Sequence, residues 1–185
     1  MHTRLVEAEG ARPRLIVRPL RRGDVDTVCA VFRRLSAHSR ALRFGGAKPH
    51  LSEPELARLT DVGPDHHVLV AFVEGDPRPV AIVRLVRDPN NHESAELAFP
   101  VADEYQSLGI GSVLAALLAA DARAAGIRYV SASVGAENTA ALALVKRVAD
   151  VVESRYAGGV LELTAALLPT ARASGRRRLH LRPTG

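Results

Sequence analysis

The front of the chain alternates apolar and polar residues in a way that predicts a strand followed by a helix. The apolar run at residues 15–18 is closed by Pro19 and is typical of a short strand. Asp24 follows and is a suitable helix N-cap. Behind it, apolar residues recur at helical spacing, at Val25, Val28, Val31, Phe32 and Leu35.

The next stretch has no clear period before a second helix begins. Residues 36–49 are polar and contain a Gly45-Gly46 break, so we expect an irregular connection there. Ser52 and Glu55 stand at the spacing of a capping box, which predicts a helix from this point. Gly63, which a proline follows, predicts the end of that helix.

Three strand-like runs come next, at residues 67–73, 79–86 and 94–101. Short turn-forming segments separate them, which is typical of an antiparallel meander. The remainder predicts, in order, a helix at 112–125, a strand at 128–134, a helix at 138–148 and a hairpin formed by 151–156 and 160–164. This order of elements predicts one α/β domain of the α+β type, in which about four helices flank a central sheet.

The segment between the third strand-like run and the next helix, residues 101–112, has the most specific pattern in the chain. Gly109 and Gly111 allow a tight turn beside a helix start and leave backbone amides exposed. Those amides, with the positive end of the helix dipole behind them, suit a phosphate-rich ligand. A Walker loop is excluded because no lysine follows Gly111, and a dinucleotide fingerprint is excluded because it needs a third glycine.

Gln106, Gly109 and Gly111 occupy the three positions of the signature Gln/Arg-x-x-Gly-x-Gly/Ala. The segment therefore resembles the acyl-CoA pyrophosphate loop of the GNAT N-acetyltransferase superfamily, and the resemblance extends over residues 15–166. It implies the GNAT fold, whose mixed, mostly antiparallel sheet contains a splayed parallel pair of strands. Within the superfamily the chain is most similar to the catalytic domain of bacterial protein lysine acetyltransferases, through residues 35–44 and 95–99.

The resemblance implies acetyl-CoA as the cofactor, with backbone amides of residues 108–112 directed at the CoA pyrophosphate. The loop residues that it assigns to cofactor binding are Gln106, Ser107, Leu108, Gly109, Ile110, Gly111 and Ser112. Close relatives often have Gly-Arg or Gly-Lys where this chain has Ser107-Leu108. A side-chain cation is therefore missing, and affinity would rest more on the helix end and its amides.

The strand before the loop is the second cofactor contact that the resemblance implies. In GNAT enzymes this strand diverges from its parallel neighbour, and the pantetheine arm lies where another strand would pair. Phe99 and Val101 would contribute main-chain groups to that contact. Pro100 has no N–H and cannot belong to a continuous ladder, and the family shows a bulge at this place.

Glu96 lies in an otherwise apolar run and is the candidate general base. Acetyl transfer to an amine needs a base, because an ammonium group has no lone pair with which to attack a thioester. Partial burial beside a wet cleft would suit a carboxylate to this role. In the protein acetyltransferases that the chain resembles, a strand glutamate in the equivalent position does this. Strand alternation equally allows Glu96 to lie on a solvent-exposed face, so both interpretations stay open.

Asn138 opens the last predicted helix and resembles the family's asparagine that contacts the pantetheine or the leaving thiol. It also suits a plain N-cap, and the two roles can coexist. Many GNAT enzymes have a tyrosine seven residues further on as the general acid, where this chain has Val145. Tyr105 and Tyr156 could substitute, although structural roles are expected for both. The alternatives are another donor, water or unaided release of the thiolate.

Composition excludes several other classes of protein. The net charge is +5, but residues 169–185 contain five arginines and no acid, so the rest of the chain has no net charge and nucleic acid binding is not expected. Apolar runs are too short to span a membrane, and residues 1–13 lack the apolar core of a secretory signal. The single cysteine, Cys29, fits a reducing cytoplasm. No cluster of residues at ligand spacing predicts a metal site.

These observations predict a flexible tail at residues 1–13, a GNAT acetyltransferase domain at 14–168 and a basic, disordered tail at 169–185. The predicted function is direct transfer of an acetyl group from acetyl-CoA to an amine, with protein lysine favoured by the resemblance. Two alternatives stay open: an acetyltransferase for a small-molecule amine, and a non-catalytic acyl-CoA sensor or interaction domain. The protein would be a monomer or a homodimer.

Overall fold

The computed structural model describes residues 3–6, 13–169 and 181–183. These residues form nine strands, at Arg4–Val6 (β1), Leu15–Pro19 (β2), His66–Val73 (β3), Pro79–Asp88 (β4), Asn91–Ala98 (β5), Tyr129–Gly135 (β6), Ala149–Ala157 (β7), Val160–Leu167 (β8) and Leu181–Pro183 (β9). They also form five α-helices, at Val25–Arg33 (α1), Ala37–Phe44 (α2), Glu53–Thr60 (α3), Ile110–Ala124 (α4) and Thr139–Val148 (α5), and a 3-10 helix at Asp103–Tyr105.

All nine strands belong to one sheet, in the order β7-β8-β6-β5-β4-β3-β2-β1-β9. Neighbouring strands are antiparallel except for β5 and β6, which run parallel. A parallel pair needs a crossover connection, and α4 lies in the crossover between these two strands. The prediction of a mixed, mostly antiparallel sheet is therefore confirmed.

Apolar residues are buried on both faces of the sheet, so helices cover both. Residues 79–83 of β4 are buried without interruption, which is typical of a strand covered on two sides. One core includes Leu114 and Leu118 of α4, neither of which is accessible to solvent. In the second core, Val28 and Val31 of α1 pack with residues of β3 and β4. Burial of each such leucine contributes about 2 kcal/mol, so packing holds α4 against β3, β4 and α5.

Helix α2 occupies part of the region where we expected an irregular connection. It spans only eight residues, fewer than the roughly 11–18 over which a helical period is recognised in a sequence, and none of them is fully buried. Its ends are defined by caps: Ser36 Oγ accepts from Ser39 N at 3.1 Å, and Gly45 ends the helix with a φ of 75°. The Arg40 guanidinium stacks over the Phe32 ring at 4.5 Å from its centroid and joins α2 to α1.

Two strands lie inside the segments that we expected to be tails. Residues 4–6 form β1, which pairs with Leu15–Val17 of β2, and residues 181–183 form β9, which pairs with β1. The other residues of the expected N-terminal tail, apart from residues 3 and 13, lie outside the described part of the chain. The same holds for residues 170–180, 184 and 185 of the expected basic tail.

Two kinds of feature are absent from the described ranges. None of the helices there is long and apolar enough to cross a membrane. No group of three or more His, Cys, Asp or Glu side chains there is placed to hold a metal ion.

Candidate active site

Strands β5 and β6 separate at the centre of the sheet. They pair from Ser94 and Tyr129 to Glu96 and Ser131, and no pair follows. Beyond this point β6 remains paired with β8 as far as Gly135. The parallel pair is therefore splayed, as predicted, and a gap opens on the carboxyl side of Glu96.

Main-chain groups after Glu96 face this gap. Glu93 O accepts from Arg128 N at 2.8 Å, on the side of β6, whereas Pro100 O accepts from Ile82 N at 3.0 Å, on the side of β4. Successive residues of a strand direct their main-chain groups to opposite sides. Phe99 and Val101 therefore direct theirs away from β4 and toward the gap, where the resemblance implies contacts to the pantetheine arm.

The bulge that the resemblance implies near Pro100 is not present. Ala98 lies opposite Arg84, and Val101 lies opposite Ala81, so the same number of residues separates the pairs on both strands. Assigned strand β5 ends at Ala98 because Pro100 has no N–H to donate, and the register continues unchanged beyond it.

The backbone of the glycine loop adopts left-handed conformations at two positions. Gly109 has a φ of 80°, and Ser107 has a φ of 61°. Helix α4 begins at Ile110, two residues earlier than predicted, and its first intrahelical bond runs from Val113 N to Gly109 O at 3.2 Å. The amides of the first helical turn have no partner within the helix, so an anion can be bound there.

Ser107 is the one residue other than glycine with positive φ in the described part of the chain. Glycine adopts this conformation without steric cost, which agrees with the glycine that the family resemblance implies at this position. Ser107→Gly is therefore expected to raise the free energy of unfolding by about 0.5–1 kcal/mol, as measured by urea denaturation. Ser112→Gly, which changes the same residue type inside a helix, should instead lower it. A lower free energy of unfolding in Ser107→Gly would contradict the inference that the backbone at Ser107 is strained.

Gln106 contacts the protein with its side chain. Its Nε2 donates to Val101 O at 3.1 Å, to Ser39 Oγ at 3.3 Å and to Asp103 Oδ1 at 3.4 Å. These bonds tie the glycine loop to the end of the β5 segment and to α2. The geometry thus gives Gln106 a positioning role, and its predicted contact with the cofactor stays a prediction.

Gly111 allows α4 and α5 to approach each other closely. A Cβ atom at this position would lie 2.9 Å from Leu144 Cδ1, which is too short for a carbon–carbon contact. Leu144 also lines the cleft described below. A larger residue at this signature position would therefore displace a wall of the cleft.

The 3-10 helix before the loop is held by Arg34. The Arg34 Nε donates to Glu104 Oε1 at 2.7 Å, and its Nη2 donates to Asp76 Oδ2 at 3.1 Å. Tyr105 donates its hydroxyl to Asp76 Oδ2 at 3.0 Å, beneath the Arg34 guanidinium. Hydrogen bonds from Arg78, Tyr105 and Arg34 hold the pKa of Asp76 below its usual range. The Tyr105 hydroxyl already has a carboxylate partner, which agrees with the structural role expected for it.

Glu96 is the last residue of β5 that pairs with β6, so its side chain lies where the strands begin to separate. We expected partial burial beside a wet cleft, and the side chain is half exposed, with 50% of its surface accessible. Its Oε1 lies 3.4 Å from Arg84 Nη2, and the Arg84 side chain is largely buried. The carboxylate is thus oriented by an ion pair and open to the cleft.

Asn138 is the N-cap of α5, since its Oδ1 accepts from Ala141 N at 3.0 Å. The side chain also lines the cleft, so the cap leaves the predicted cofactor contact open. Val145 is buried in the core, and Tyr156 lies exposed on the outer strand β7. Tyr156 is not among the residues that line the cleft.

These elements enclose a cleft of about 500 Å³ between the splayed strands, α2, α4 and α5. Nine of the predicted site residues line it: Glu96, Phe99, Val101, Gln106, Ser107, Gly109, Gly111, Ser112 and Asn138. Ile110 is buried beneath the loop and Leu108 is exposed outside the cleft. Sequence reasoning missed the wall that α2 provides, with Ser39, Leu42 and Arg43, because that helix was not predicted.

Comparison with known proteins identifies the class. The family model of the acetyltransferase (GNAT) family matches residues 35–149. The chain therefore belongs to the GNAT acetyltransferase family, whose members use acetyl-CoA as the acetyl donor. Acetyltransferase PA5475 of Pseudomonas aeruginosa is 33% identical over 131 residues, which cover 68% of this chain and 69% of that protein.

A second relative and one solved structure share the name Pat. Acetyltransferase Pat of Mycolicibacterium smegmatis is 32% identical over 136 residues, or 73% of this chain, and the match spans only 40% of that longer protein. Among solved structures, the GNAT domain of PAT from S. lividans has a TM-score of 0.75 and 26% identity, and the match covers 89% of this chain and 96% of that domain.

One further structure shows the fold alone. Spermidine N-acetyltransferase from Vibrio cholerae, in complex with CoA and spermine, has a TM-score of 0.60 at 20% identity, and the match covers 83% of this chain and 95% of that one. Similarity at this level does not define the acceptor.

Proposed function

We propose that the protein transfers the acetyl group of acetyl-CoA directly to lysine side chains of other proteins, with Glu96 as the general base. The observation that carries this proposal is the position of Glu96. Its half-exposed carboxylate lies in the cleft wall, at the last paired residue before the parallel strands separate. The resemblance of residues 35–44 and 95–99 to bacterial protein lysine acetyltransferases favours protein lysine as the acceptor, and the matches to acetyltransferase Pat and to the GNAT domain of PAT agree with that resemblance.

The cleft fits acetyl-CoA in two respects. Main-chain groups of Phe99 and Val101 face a gap that no strand fills, which suits the amides of a pantetheine arm. The left-handed turn at Ser107 and Gly109 and the first amides of α4 suit a diphosphate. When bound, acetyl-CoA supplies a thioester that an amine can attack.

The residues of the chain then do three things in this mechanism. The loop and the strand hold the donor in place, so that the reaction within the complex is effectively unimolecular. Glu96 takes a proton from the acceptor ammonium group, which frees the nitrogen lone pair. Arg84 orients the Glu96 carboxylate through their ion pair. No tyrosine hydroxyl of the described residues is free in the cleft, so we propose that water protonates the thiolate or that it leaves unprotonated.

A cytoplasmic location is part of this proposal. The single cysteine, Cys29, forms no disulfide within the chain and therefore suits a reducing compartment.

The test is a measurement of CoA thiol release with three classes of acceptor: lysine peptides, spermidine and free amino acids. The proposal predicts turnover with the lysine peptides and little with spermidine. Turnover with a small amine alone would show that the acceptor is that amine and not protein lysine. Thermal stabilisation by acetyl-CoA without turnover on any amine would indicate a non-catalytic acyl-CoA sensor.

A further inference from the structure

An excess of positive charge lies beside the Glu96 carboxylate. Arg84 forms the ion pair with Glu96, and Arg43 and Arg58 are near enough for their charges to act on this pair. Among the described residues, Glu96 is the one acidic group that acts on the charge of Arg43. Arg43 and Arg84 thus share one carboxylate, the charge of Arg58 acts on both of them, and the mechanism above uses only Arg84.

Arg43 has no acceptor of its own. It makes no hydrogen bond or ion pair with another residue in the described ranges, and its Nε is buried without a partner. Its guanidinium rests on the Phe44 ring at 5.2 Å from the centroid. Burial, together with the charges of Arg84 and Arg58, lowers the pKa of Arg43 to about 10. A guanidinium in these surroundings is stabilised by any anion that reaches it.

Arg43 lines two adjoining spaces. One is the cleft that contains Glu96, and the other is a pocket of about 40 Å³ that Arg84 also lines. The other walls of the small pocket are apolar and come mainly from α1, β3, β4 and the segments around α3. Its volume is enough for a group the size of a carboxylate. The two arginines are therefore the polar groups that such a ligand would meet.

We propose that Arg43 and Arg84 bind a carboxylate of the acceptor, so that the protein selects amines that carry a negative charge close to the reactive nitrogen. This inference rests on the proposed function, because it requires the acceptor to enter the cleft beside Glu96. An aspartate or glutamate next to the acceptor lysine would supply the carboxylate, and the α-carboxylate of a free amino acid has the same chemistry. Guanidinium groups bind carboxylates with two parallel hydrogen bonds. Polycationic amines would be repelled.

Steady-state kinetics can distinguish an Arg43 that binds the acceptor from an Arg43 that only positions Glu96. If Arg43 only positioned Glu96, its loss would lower kcat for every acceptor by the same factor. If Arg43 binds the carboxylate of the acceptor, its loss raises KM for acidic acceptors and leaves neutral ones almost unchanged.

The experiment compares matched peptides in which glutamate, glutamine or lysine neighbours the acceptor lysine. It also compares free lysine with lysine amide, which lacks the α-carboxylate. For the wild-type protein we expect kcat/KM to be about tenfold higher with the glutamate peptide than with the glutamine peptide. Arg43→Gln should reduce this ratio to about twofold or less, and Arg43→Lys should retain part of it. Arg33→Gln removes the same charge from an exposed site outside the cleft and should keep the full ratio.

Thermal melting of each variant shows that it is folded before its kinetics are compared. Equal rates on the acidic and neutral peptides, or an unchanged preference in Arg43→Gln, would overturn the carboxylate site and leave lysine acetylation standing. If kcat/KM favours free lysine over lysine amide by a larger factor than it favours the glutamate peptide over the glutamine peptide, the carboxylate site is supported. The carboxylate would then come from a small-molecule acceptor. Failure to acetylate any amine would overturn the proposed function itself.

Discussion

Glu96→Gln is expected to lower kcat for a lysine peptide by about 10²–10⁴-fold, because an amide cannot accept the ammonium proton. The dissociation constant of acetyl-CoA should change by less than about twofold, since glutamine keeps the size of the side chain and the cofactor contacts lie on other residues. Steady-state CoA release and isothermal titration measure the two quantities. The loss should shrink at high pH, where a larger fraction of the acceptor amine is already neutral.

Glu93→Gln provides the matched control for this variant. Glu93 lies on the same strand, is exposed and forms an ion pair with Arg128 outside the cleft. It should keep wild-type turnover. Equal activity of Glu96→Gln and the wild type would remove Glu96 from the mechanism, and a parallel loss of acetyl-CoA binding would mean that the residue holds the cofactor instead.

Gly109→Val should weaken acetyl-CoA binding by on the order of 100-fold or more. Gly109 has a φ of 80° immediately before α4, and a β-branched residue there costs about 1–2 kcal/mol or shifts the backbone out of this conformation. The shift would redirect amides that bind the pyrophosphate, and each charge-assisted hydrogen bond contributes about 1.5–3 kcal/mol. Isothermal titration with acetyl-CoA measures the loss.

Gly126 offers a control with the same backbone strain. It also has a φ of 80°, it follows α4 at the opposite end, and a Cβ there would meet no atom within 4 Å. Gly126→Val should therefore lower the melting temperature to a similar extent while acetyl-CoA binding is retained. If both variants bind acetyl-CoA like the wild type, the glycine loop is not the pyrophosphate site.

Elements with a strong period could be predicted from the sequence. The apolar spacing of α1, the capping box of α3 and the turns between β3, β4 and β5 all appear where local patterns place them. Helix α2 was not predicted, because eight residues are too few for a helical period to be recognised and its two ends are defined by local caps. Strands β1 and β9 were missed because three-residue strands carry almost no local signal and depend on pairing partners distant in the sequence.

The glycine loop of the site could be predicted from the sequence, whereas the arginines around Glu96 could not. Gln106, Gly109 and Gly111 revealed the glycine loop, since their spacing is specific. The physical reasons for those residues required the structure: Gln106 ties the loop to α2, and Gly111 makes room for Leu144. The arginine cluster around Glu96 was not foreseen, because Arg43 and Arg84 lie far apart in the sequence and meet only across α2 and β4.

The central claim is that acetyl-CoA lies between the diverging strands and the start of α4. Amide hydrogen exchange, followed by NMR residue by residue with and without acetyl-CoA, tests it most directly. We predict slower exchange at Phe99, at Val101 and at the amides of residues 108–112, with no change on the distant strand β7. Unaltered exchange at these amides in millimolar acetyl-CoA, or protection confined to another surface, would contradict the claim.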